Sequence, residues 1–187
     1  MQNKLLELKT KWEEAGYPPI AIRCGIHTDE VFVGNLGAPE RMKYGVMGDG
    51  VNLASRLEEL NKRYGTQQMI SDKTYKCEGV PDKFVLRHVD RVVVKGRSKA
   101  TDLYEVCGFA YEKTKDWRVK FNETYKEAME IYFKKQFSDA CDKFQDAKKF
   151  KPDGKDISCD LLATRCLDFI DTPPAEDWSG ESILTSK

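Results

Sequence analysis

The sequence predicts an α/β fold, in which helices pack on a mixed β-sheet and an α-helical hairpin extension follows. Short β-like runs alternate with amphipathic helical segments before Gly108, and two neighbouring pairs of runs are close enough to form hairpins. After Gly108 the apolar residues recur at the three- and four-residue spacing of helices. We therefore predict an α/β domain over residues 1–108, a helical extension over 109–171 and an extended tail over 172–187.

The composition limits the classes of partner. Lys plus Arg equals Asp plus Glu, at 31 each, so the 187-residue chain has no formal net charge and nucleic acid is not an expected partner. No apolar run approaches the roughly 20 residues that span a bilayer, and we expect a cytoplasmic chain without a membrane segment. The six cysteines are scattered without a C-x-x-C pair, which indicates reduced thiols and no zinc site.

The first elements are a helix and a pair of strands. An apolar stripe among charges predicts a helix over residues 1–15, which Gly16 and the following prolines end. Residues 20–26 and 30–36 have strand composition. Only three residues separate them, so we expect the two to pair as a hairpin.

The next elements are a strand over 43–47, a Gly48-Asp49-Gly50 turn and a helix over 49–64. Asp49 is the predicted N-cap of this helix, and Gly65 is the glycine predicted to end it. Asn52 and Arg56 lie four residues apart on this helix, on one face and about 6 Å apart along its axis. The guanidinium fork suits phosphate oxygens, and the positive end of the helix favours anions. The pattern therefore predicts an anion site. The apolar positions of the helix are Val51, Leu53, Ala54, Leu57 and Leu60.

The rest of the α/β part contains further short elements. Residues 68–71 predict a strand, and Ser71 or Asp72 can cap a short helix over 73–77. Strand-like runs over 84–89, 91–94 and 102–107 flank a basic turn at 95–99. In the extension, helices are predicted over 117–134, 137–150 and 157–170. The first two resemble a single tetratricopeptide unit, which should pack on the α/β domain or on another protein.

The run Gly48-Asp-Gly-Val-Asn-Leu-Ala-Ser-Arg-Leu-Glu58 resembles the catalytic domain of class III adenylyl and guanylyl cyclases. The resemblance implies a ferredoxin-like cyclase core, and it continues through the tail Thr172-Pro-Pro and Leu184-Thr-Ser-Lys187, which is similar to that of prokaryotic-type cyclases. The other matching segments are Gly25-Ile-His-Thr28, Glu30-Val-Phe-Val-Gly-Asn-Leu-Gly37, Arg41-Met-Lys-Tyr44, Lys62-Arg-Tyr-Gly-Thr66, Ile70-Ser-Asp-Lys-Thr-Tyr75, Val94-Lys-Gly-Arg-Ser-Lys99 and Leu103-Tyr-Glu-Val106.

The resemblance implies conversion of a nucleoside triphosphate to a 3′,5′-cyclic nucleotide and pyrophosphate. Arg56 would stabilise charge on the α-phosphate, Asn52 would orient the ribose, and Lys95 would hold the terminal phosphates. Judged without the resemblance, the ordinary interpretations would be favoured for two residues: Asn52 as an exposed amide, and Arg56 as a surface ion-pair partner of Glu58 or Glu59. Lys95 is also one of several cations in a turn of a kind that is usually solvated. Gly45 and Asp49 complete the expected substrate-binding set.

Two positions depart from the family pattern. Gly45 stands where a side chain often contacts the purine, so base selectivity is open; ATP is favoured over GTP because cyclases with this tail are usually adenylyl cyclases. Asp29 stands where the hairpin turn usually has Gly, and Asp tolerates the left-handed conformation better than most residues. His27 is expected to be a packed, hydrogen-bonded turn residue instead of a catalytic base.

The family's two metal-binding aspartates lie in segments that this sequence lacks. The expected cofactor is therefore a pair of Mg or Mn ions whose ligands are not in this chain. The core would be incomplete at its N-terminus, as in a fragment of a longer cyclase that missing segments could anchor to a membrane. We expect a homodimer or a complementing cyclase half, and no activity from the chain alone. The alternatives are a non-catalytic scaffold or a phosphate-binding regulatory domain.

Overall fold

A five-stranded mixed sheet forms the centre of the structure, and a separate two-stranded ribbon projects from it. The structure is a computed structural model that describes residues 2–18, 20–94 and 99–184. In chain order its elements are α1 (Gln2–Glu14), β1 (Cys24–Ile26), β2 (Phe32–Leu36), β3 (Lys43–Met47), α2 (Asp49–Tyr64), β4 (Gln68–Ser71), α3 (Asp72–Tyr75), α4 (Val80–Lys83), β5 (Phe84–Val93), β6 (Thr101–Phe109), α5 (Asp116–Phe133), α6 (Phe137–Lys148), α7 (Ile157–Asp171) and β7 (Ser182–Ile183).

The sheet has the strand order β1-β4-β6-β5-β7. β1 is parallel to β4, β4 and β5 are both antiparallel to β6, and β7 is parallel to β5. β2 and β3 pair antiparallel outside this sheet, with Gly34 opposite Gly45. Strands and helices thus form the mixed α+β architecture with a helical C-terminal part that the sequence predicts. The division into domains at 108 and 171 stays a prediction.

The predicted bounds of β3, α2 and β4 are confirmed. Gly65 has φ 67°, and its N–H bonds to the carbonyl of Asn61, as a left-handed helix terminator should. The predicted N-cap is wrong, because Gly48 occupies the cap position and Asp49 is the first residue of the helix. Ser71 caps α3 as predicted, since its hydroxyl accepts a hydrogen bond from the N–H of Thr74.

The predicted hairpin between the first two strands is wrong. β1 covers only Cys24–Ile26 and pairs with β4, while the partner of β2 is β3. Two contacts explain the difference. The His27 ring bonds to Ser71 at the end of β4, and Gly25 lies so close to α2 that an added Cβ would meet the Glu58 nitrogen at 2.2 Å. These contacts hold β1 between α2 and β4, and β2 leaves the sheet.

β5 is continuous where the sequence predicts two strands. A register shift between His88 and Asp90 marks an irregularity in its pairing with β6, and the Asp90 side chain is fully buried there. Within the tail that we predict to be extended, Ser182 and Ile183 form a short strand that pairs with the edge of β5. Both features depend on distant partners, which local sequence patterns do not reveal.

The core consists of two clusters. One lies between α2 and the sheet and includes Leu53, Leu57 and Leu103. The other joins the three C-terminal helices, and it buries nearly all of the apolar stripe that the sequence predicts for them: Phe121, Tyr125, Ala128, Tyr132, Phe137, Ala140, Phe144 and Ala147, with Cys141 half-buried. The extension packs on the α/β part of this same chain. The Tyr125 hydroxyl donates to the carbonyl of Val89, and the buried Arg87 guanidinium pairs with Asp156.

Candidate active site

The site predicted from the sequence lies at the N-terminal half of α2. Gly50, in the first turn, is buried against the loop that follows β1; a Cβ there would come within 2.7 Å of the Asp29 Cβ. Leu53 and Leu57 anchor the next two turns in the core. Asn52 and Arg56 each precede one of these leucines, so they lie on the flank of the buried face. The predicted apolar position Val51 is exposed instead.

Asn52 is exposed and Arg56 is half-buried. Within residues 2–18, 20–94 and 99–184, the side chain of neither residue makes a hydrogen bond or an ion pair. The alternative of an Arg56 ion pair with Glu58 is wrong, because the Glu58 carboxylate pairs with Arg23, with Nε and Oε1 2.9 Å apart. An amide and a guanidinium on one helix face are thus available to a ligand.

The loop beside α2 is held by a chain of polar contacts. His27 Nδ1 lies 2.6 Å from Ser71 Oγ, and His27 Nε2 lies 3.2 Å from Asp29 Oδ2. The His27 side chain is only 1% exposed, so it is the packed turn residue that the sequence predicts. The Lys73 ammonium donates to Asp29 Oδ1 at 2.6 Å. That bond, together with those from His27 and the Glu30 N–H, lowers the pKa of Asp29 to about 2.

Asp29 does not need the left-handed conformation that we expected of it. In the described ranges, Lys135 is the one non-glycine residue with positive φ. Sequence reasoning also missed the role of Lys73, which fixes Asp29 from a position 44 residues away. Such a distant pair leaves no signal in the local pattern of residues.

Gly45 lies in the middle of β3, five residues before the buried Gly50. Among the described residues, a Cβ at position 45 would meet the Leu36 Cδ1 atom alone, at 3.4 Å, so these residues leave room for a side chain. Asp49 is exposed in the first turn of α2. The predicted substrate-binding and catalytic residues therefore lie on β3 and on the first turns of α2, which follow each other directly: Gly45, Asp49, Asn52 and Arg56. Lys95 and Arg97 lie outside the described residues.

The described residues do not fit a metal ion. Among them, no group of three or more His, Cys, Asp and Glu side chains could hold one. In the same ranges, no helix is long and apolar enough to cross a bilayer.

Comparisons with known proteins agree with the motif on α2. The family described as the adenylate and guanylate cyclase catalytic domain matches residues 1–133. The terminal-differentiation specific adenylate cyclase of Dictyostelium discoideum is 34% identical over 149 residues, which is 79% of this chain and 7% of that protein. Adenylate cyclase 1 of Rhizobium meliloti is 40% identical over 109 residues, or 58% of this chain and 16% of that protein.

A solved structure is also similar. The adenylyl cyclase CyaB from P. aeruginosa is 31% identical and has a TM-score of 0.49 over 61% of this chain and 54% of that one. The extent of the family match shows that this chain belongs to the adenylate and guanylate cyclase catalytic domain family. It spans less than a fifth of the length of the curated relatives named here.

Proposed function

We propose that this chain supplies the Asn52 and Arg56 side of a nucleotide-cyclase active site, which forms a 3′,5′-cyclic nucleotide and pyrophosphate from a nucleoside triphosphate. The main support for the proposal is the arrangement of Asn52 and Arg56. In the part of the chain that the structure describes, both side chains lie on one face of α2 without a partner, in a member of the cyclase family. The ordinary alternative for Arg56 would have placed it in an ion pair.

The reaction needs positioning and charge stabilisation more than covalent chemistry. The ribose 3′-oxygen attacks the α-phosphorus in line, and negative charge grows on the phosphate oxygens. Arg56 stabilises that charge with its planar fork of donors, and Asn52 orients the ribose by hydrogen bonding. Lys95 holds the terminal phosphates. Gly45 and Asp49 complete the substrate-binding set, and Gly45 meets the purine through its backbone.

ATP is the proposed substrate over GTP. The support comes from the relatives, since the curated proteins from Dictyostelium discoideum, Rhizobium meliloti and Anabaena cylindrica are all adenylate cyclases by name. The chain would then act in cyclic-nucleotide signalling in the cytoplasm. Divalent Mg or Mn would lower the pKa of the attacking hydroxyl and bind phosphate. Its carboxylate ligands would come from another subunit or another part of a longer protein, and this chain alone would be inactive.

A second subunit is proposed to meet the ribbon of β2 and β3. Apolar side chains on the ribbon are unusually exposed, with Phe32 at 84% and Tyr44 at 77%. An apolar patch of this kind is typical of a protein interface. The ribbon leads directly into α2, so a homodimer or a complementing cyclase half bound there would bring its own groups close to Asn52 and Arg56.

Binding of ATP to the purified chain tests the role of Arg56. Arg56→Ala should weaken binding at least tenfold, because a guanidinium–phosphate hydrogen bond is worth about 1.5–3 kcal/mol. Arg63→Ala is the matched control, since Arg63 is an exposed arginine at the other end of the same helix, and it should change affinity less than twofold. Equal affinities of the two variants would contradict the proposal.

The second candidate function is a non-catalytic scaffold, in which the helical extension binds a partner as a single tetratricopeptide-like unit. Its support is the pairing of α5 and α6 around a shared apolar core. In that case Arg56→Ala would leave the biological effect of the protein intact. A loss of that effect in Arg56→Ala would exclude the scaffold.

A further inference from the structure

A buried polar cluster joins the helical extension to the last turn of α2. Asp90 has no exposed side-chain surface, and the Arg165 guanidinium of α7 approaches it with two nitrogens, at 3.1 Å from Oδ1 and 2.8 Å from Oδ2. The Tyr64 hydroxyl at the end of α2 donates to the same carboxylate at 2.6 Å. Arg165 also donates to the Tyr132 hydroxyl of α5 at 3.2 Å. Two helices, α2 and α7, therefore bond to a single carboxylate of β5, and α5 joins the cluster through Arg165.

The backbone at the end of α2 contacts the extension as well. The Ser158 hydroxyl of α7 donates to the carbonyl of Tyr64 at 2.7 Å. The next residue, Gly65, lies so close to Ile157 that a Cβ there would come within 2.8 Å of the Ile157 Cδ1 atom. The main chain of this helix end is thus bonded to α7 directly, and the Tyr64 side chain is linked to α7 through Asp90.

The electrostatics keep the partners of Asp90 in their hydrogen-bonding forms. Burial works to lower the pKa of Arg165, but the Asp90 carboxylate outweighs it and the pKa of Arg165 is raised. Burial and the Asp90 charge both raise the pKa of Tyr64, so its hydroxyl stays protonated as the donor. Loss of one partner would leave Asp90 buried without its full set of bonds, which is strongly unfavourable. The end of α2 therefore has one favoured position.

We propose that Arg165 is a positioning residue for the cyclase site: through Asp90 and Tyr64 it sets the orientation of α2, and hence the placement of Asn52 and Arg56. The proposal rests on the function proposed above and extends it to the helical extension. The extension would then be a working part of the catalytic unit, and a partner bound to α7 could act on the active site through α2.

The geometry of a helix explains how the effect would reach the site. Eight residues separate Tyr64 from Arg56, or about 12 Å at 1.5 Å per residue. A helix moves nearly as a rigid rod, so a tilt of about 5° at one end displaces a group at that distance by about 1 Å. Displacements of that size at a reacting centre change rates by about a hundredfold.

The test compares Arg165→Gln with Lys148→Gln in the full chain. Lys148 pairs with Asp160 and, like Arg165, joins α7 to a neighbouring element, but its carboxylate partner is largely exposed, whereas Asp90 is buried. Amide hydrogen exchange over residues 49–57 should become at least fivefold faster in Arg165→Gln and change less than twofold in Lys148→Gln. Equal exchange in the two variants would overturn the proposal, whether or not the chain binds nucleotide.

A double-mutant cycle on ATP affinity separates positioning from general stability. If Arg165 acts through α2, part of its effect depends on Arg56, so the combined Arg165→Gln and Arg56→Ala variant should lose less ATP affinity than the product of the two single losses. If the two single losses of ATP affinity instead multiplied in the combined variant, the proposal would be contradicted. Failure of Arg56→Ala itself to weaken binding would instead contradict the proposed function, and hydrogen exchange would still decide the role of Arg165.

A milder variant covers the case in which Arg165→Gln does not fold. Tyr64→Phe removes one hydroxyl and leaves the Arg165–Asp90 pair in place. It should also speed exchange over residues 49–57, by a smaller factor than Arg165→Gln. Exchange at the wild-type rate in folded Tyr64→Phe would contradict the proposed path through Tyr64.

Discussion

At the scale of single residues, two glycines that both lie in strands, Gly25 and Gly45, differ in how much space a side chain would have. Gly25 is required by packing, since a Cβ there would lie 2.2 Å from the Glu58 nitrogen and 2.3 Å from the Ala54 oxygen. Neither of these backbone atoms can move without displacing α2. In the part of the chain that the structure describes, the one atom near a Cβ added at Gly45 would be a flexible Leu36 methyl, at 3.4 Å. The first glycine is therefore a packing requirement, whereas the second leaves open space at a proposed substrate position.

We expect Gly25→Ala to lower the free energy of unfolding by about 1–3 kcal/mol, because β1 and α2 would be forced apart. Gly45→Ala is the matched control and should change it by less than about 0.5 kcal/mol. Urea denaturation of both variants measures the difference. A Gly25→Ala variant as stable as Gly45→Ala would show that α2 does not lie against β1 as described.

Ionisation of Asp102 makes the free energy of unfolding depend on pH. Burial raises its pKa, but hydrogen bonds from His88 and Arg91 outweigh burial and lower it from 3.8 to about 2. The folded state therefore holds the ionised form more strongly than the unfolded state does. This stabilisation is present above pH 4, where both states are ionised, and is lost as the pH falls from about 4 to 2.

Asp102→Asn should therefore destabilise the protein by about 1–2 kcal/mol at pH 7, after allowance for partial exposure of the partners. Its stability should also fall less steeply than that of the wild type between pH 4 and 2. Thermal unfolding across that range measures both effects. Asp82→Asn, at an exposed position, is the control. A variant with the same slope as the wild type would contradict the assignment of this carboxylate.

The sequence predicted which residues share a face of one helix, but it did not predict the contacts between distant segments. The spacing of Asn52 and Arg56 determines that they share a face, because helix geometry is local. The true partner of Glu58 is Arg23, 35 residues away, and no local pattern identifies it. The same limit hid the Lys73–Asp29 pair. The predicted roles of Asn52 and Arg56, in orienting the ribose and stabilising phosphate charge, remain predictions.

At the scale of elements, the helix and strand bounds that rest on local chemistry were accurate. α2 begins after a glycine turn and ends at a left-handed Gly65, so both of its bounds follow from the sequence. Strand pairing was less accurate. The β1–β4 pair is parallel and joins segments more than 40 residues apart, whereas the predicted hairpin assumed that neighbouring strands pair. β7 was missed because two residues carry too little pattern.

The ribbon of β2 and β3 yields a prediction about association. If it is the proposed contact between subunits, Phe32→Gln combined with Tyr44→Gln should weaken self-association at least tenfold, because two large exposed aromatic side chains leave the interface. Sedimentation analysis of the purified chain measures this. Tyr111→Gln removes an aromatic side chain that is 79% exposed away from the ribbon and should leave association unchanged. Equal effects of the two changes would place the interface elsewhere.

At the scale of the whole molecule, the extension and the α/β part share buried contacts. Arg87 of β5 pairs with Glu105 and Asp156, and its guanidinium lies 4.6 Å from the centre of the Tyr125 ring. The sequence predicted that the helix pair must pack on something, because its apolar stripe is too large to remain exposed. It did not predict these buried charges, since each carboxylate partner comes from a different element.

The central claim is that this chain carries one side of a cyclase site. The most direct measurement is cyclic AMP formation from ATP with Mg or Mn, using this chain mixed with a family catalytic domain whose own arginine at the position matching Arg56 is replaced by alanine. We predict that neither protein is active alone, that the mixture is active, and that the mixture with Arg56→Ala loses at least a hundredfold of that activity. Robust turnover by this chain alone, or equal activity of the two mixtures, would contradict the account.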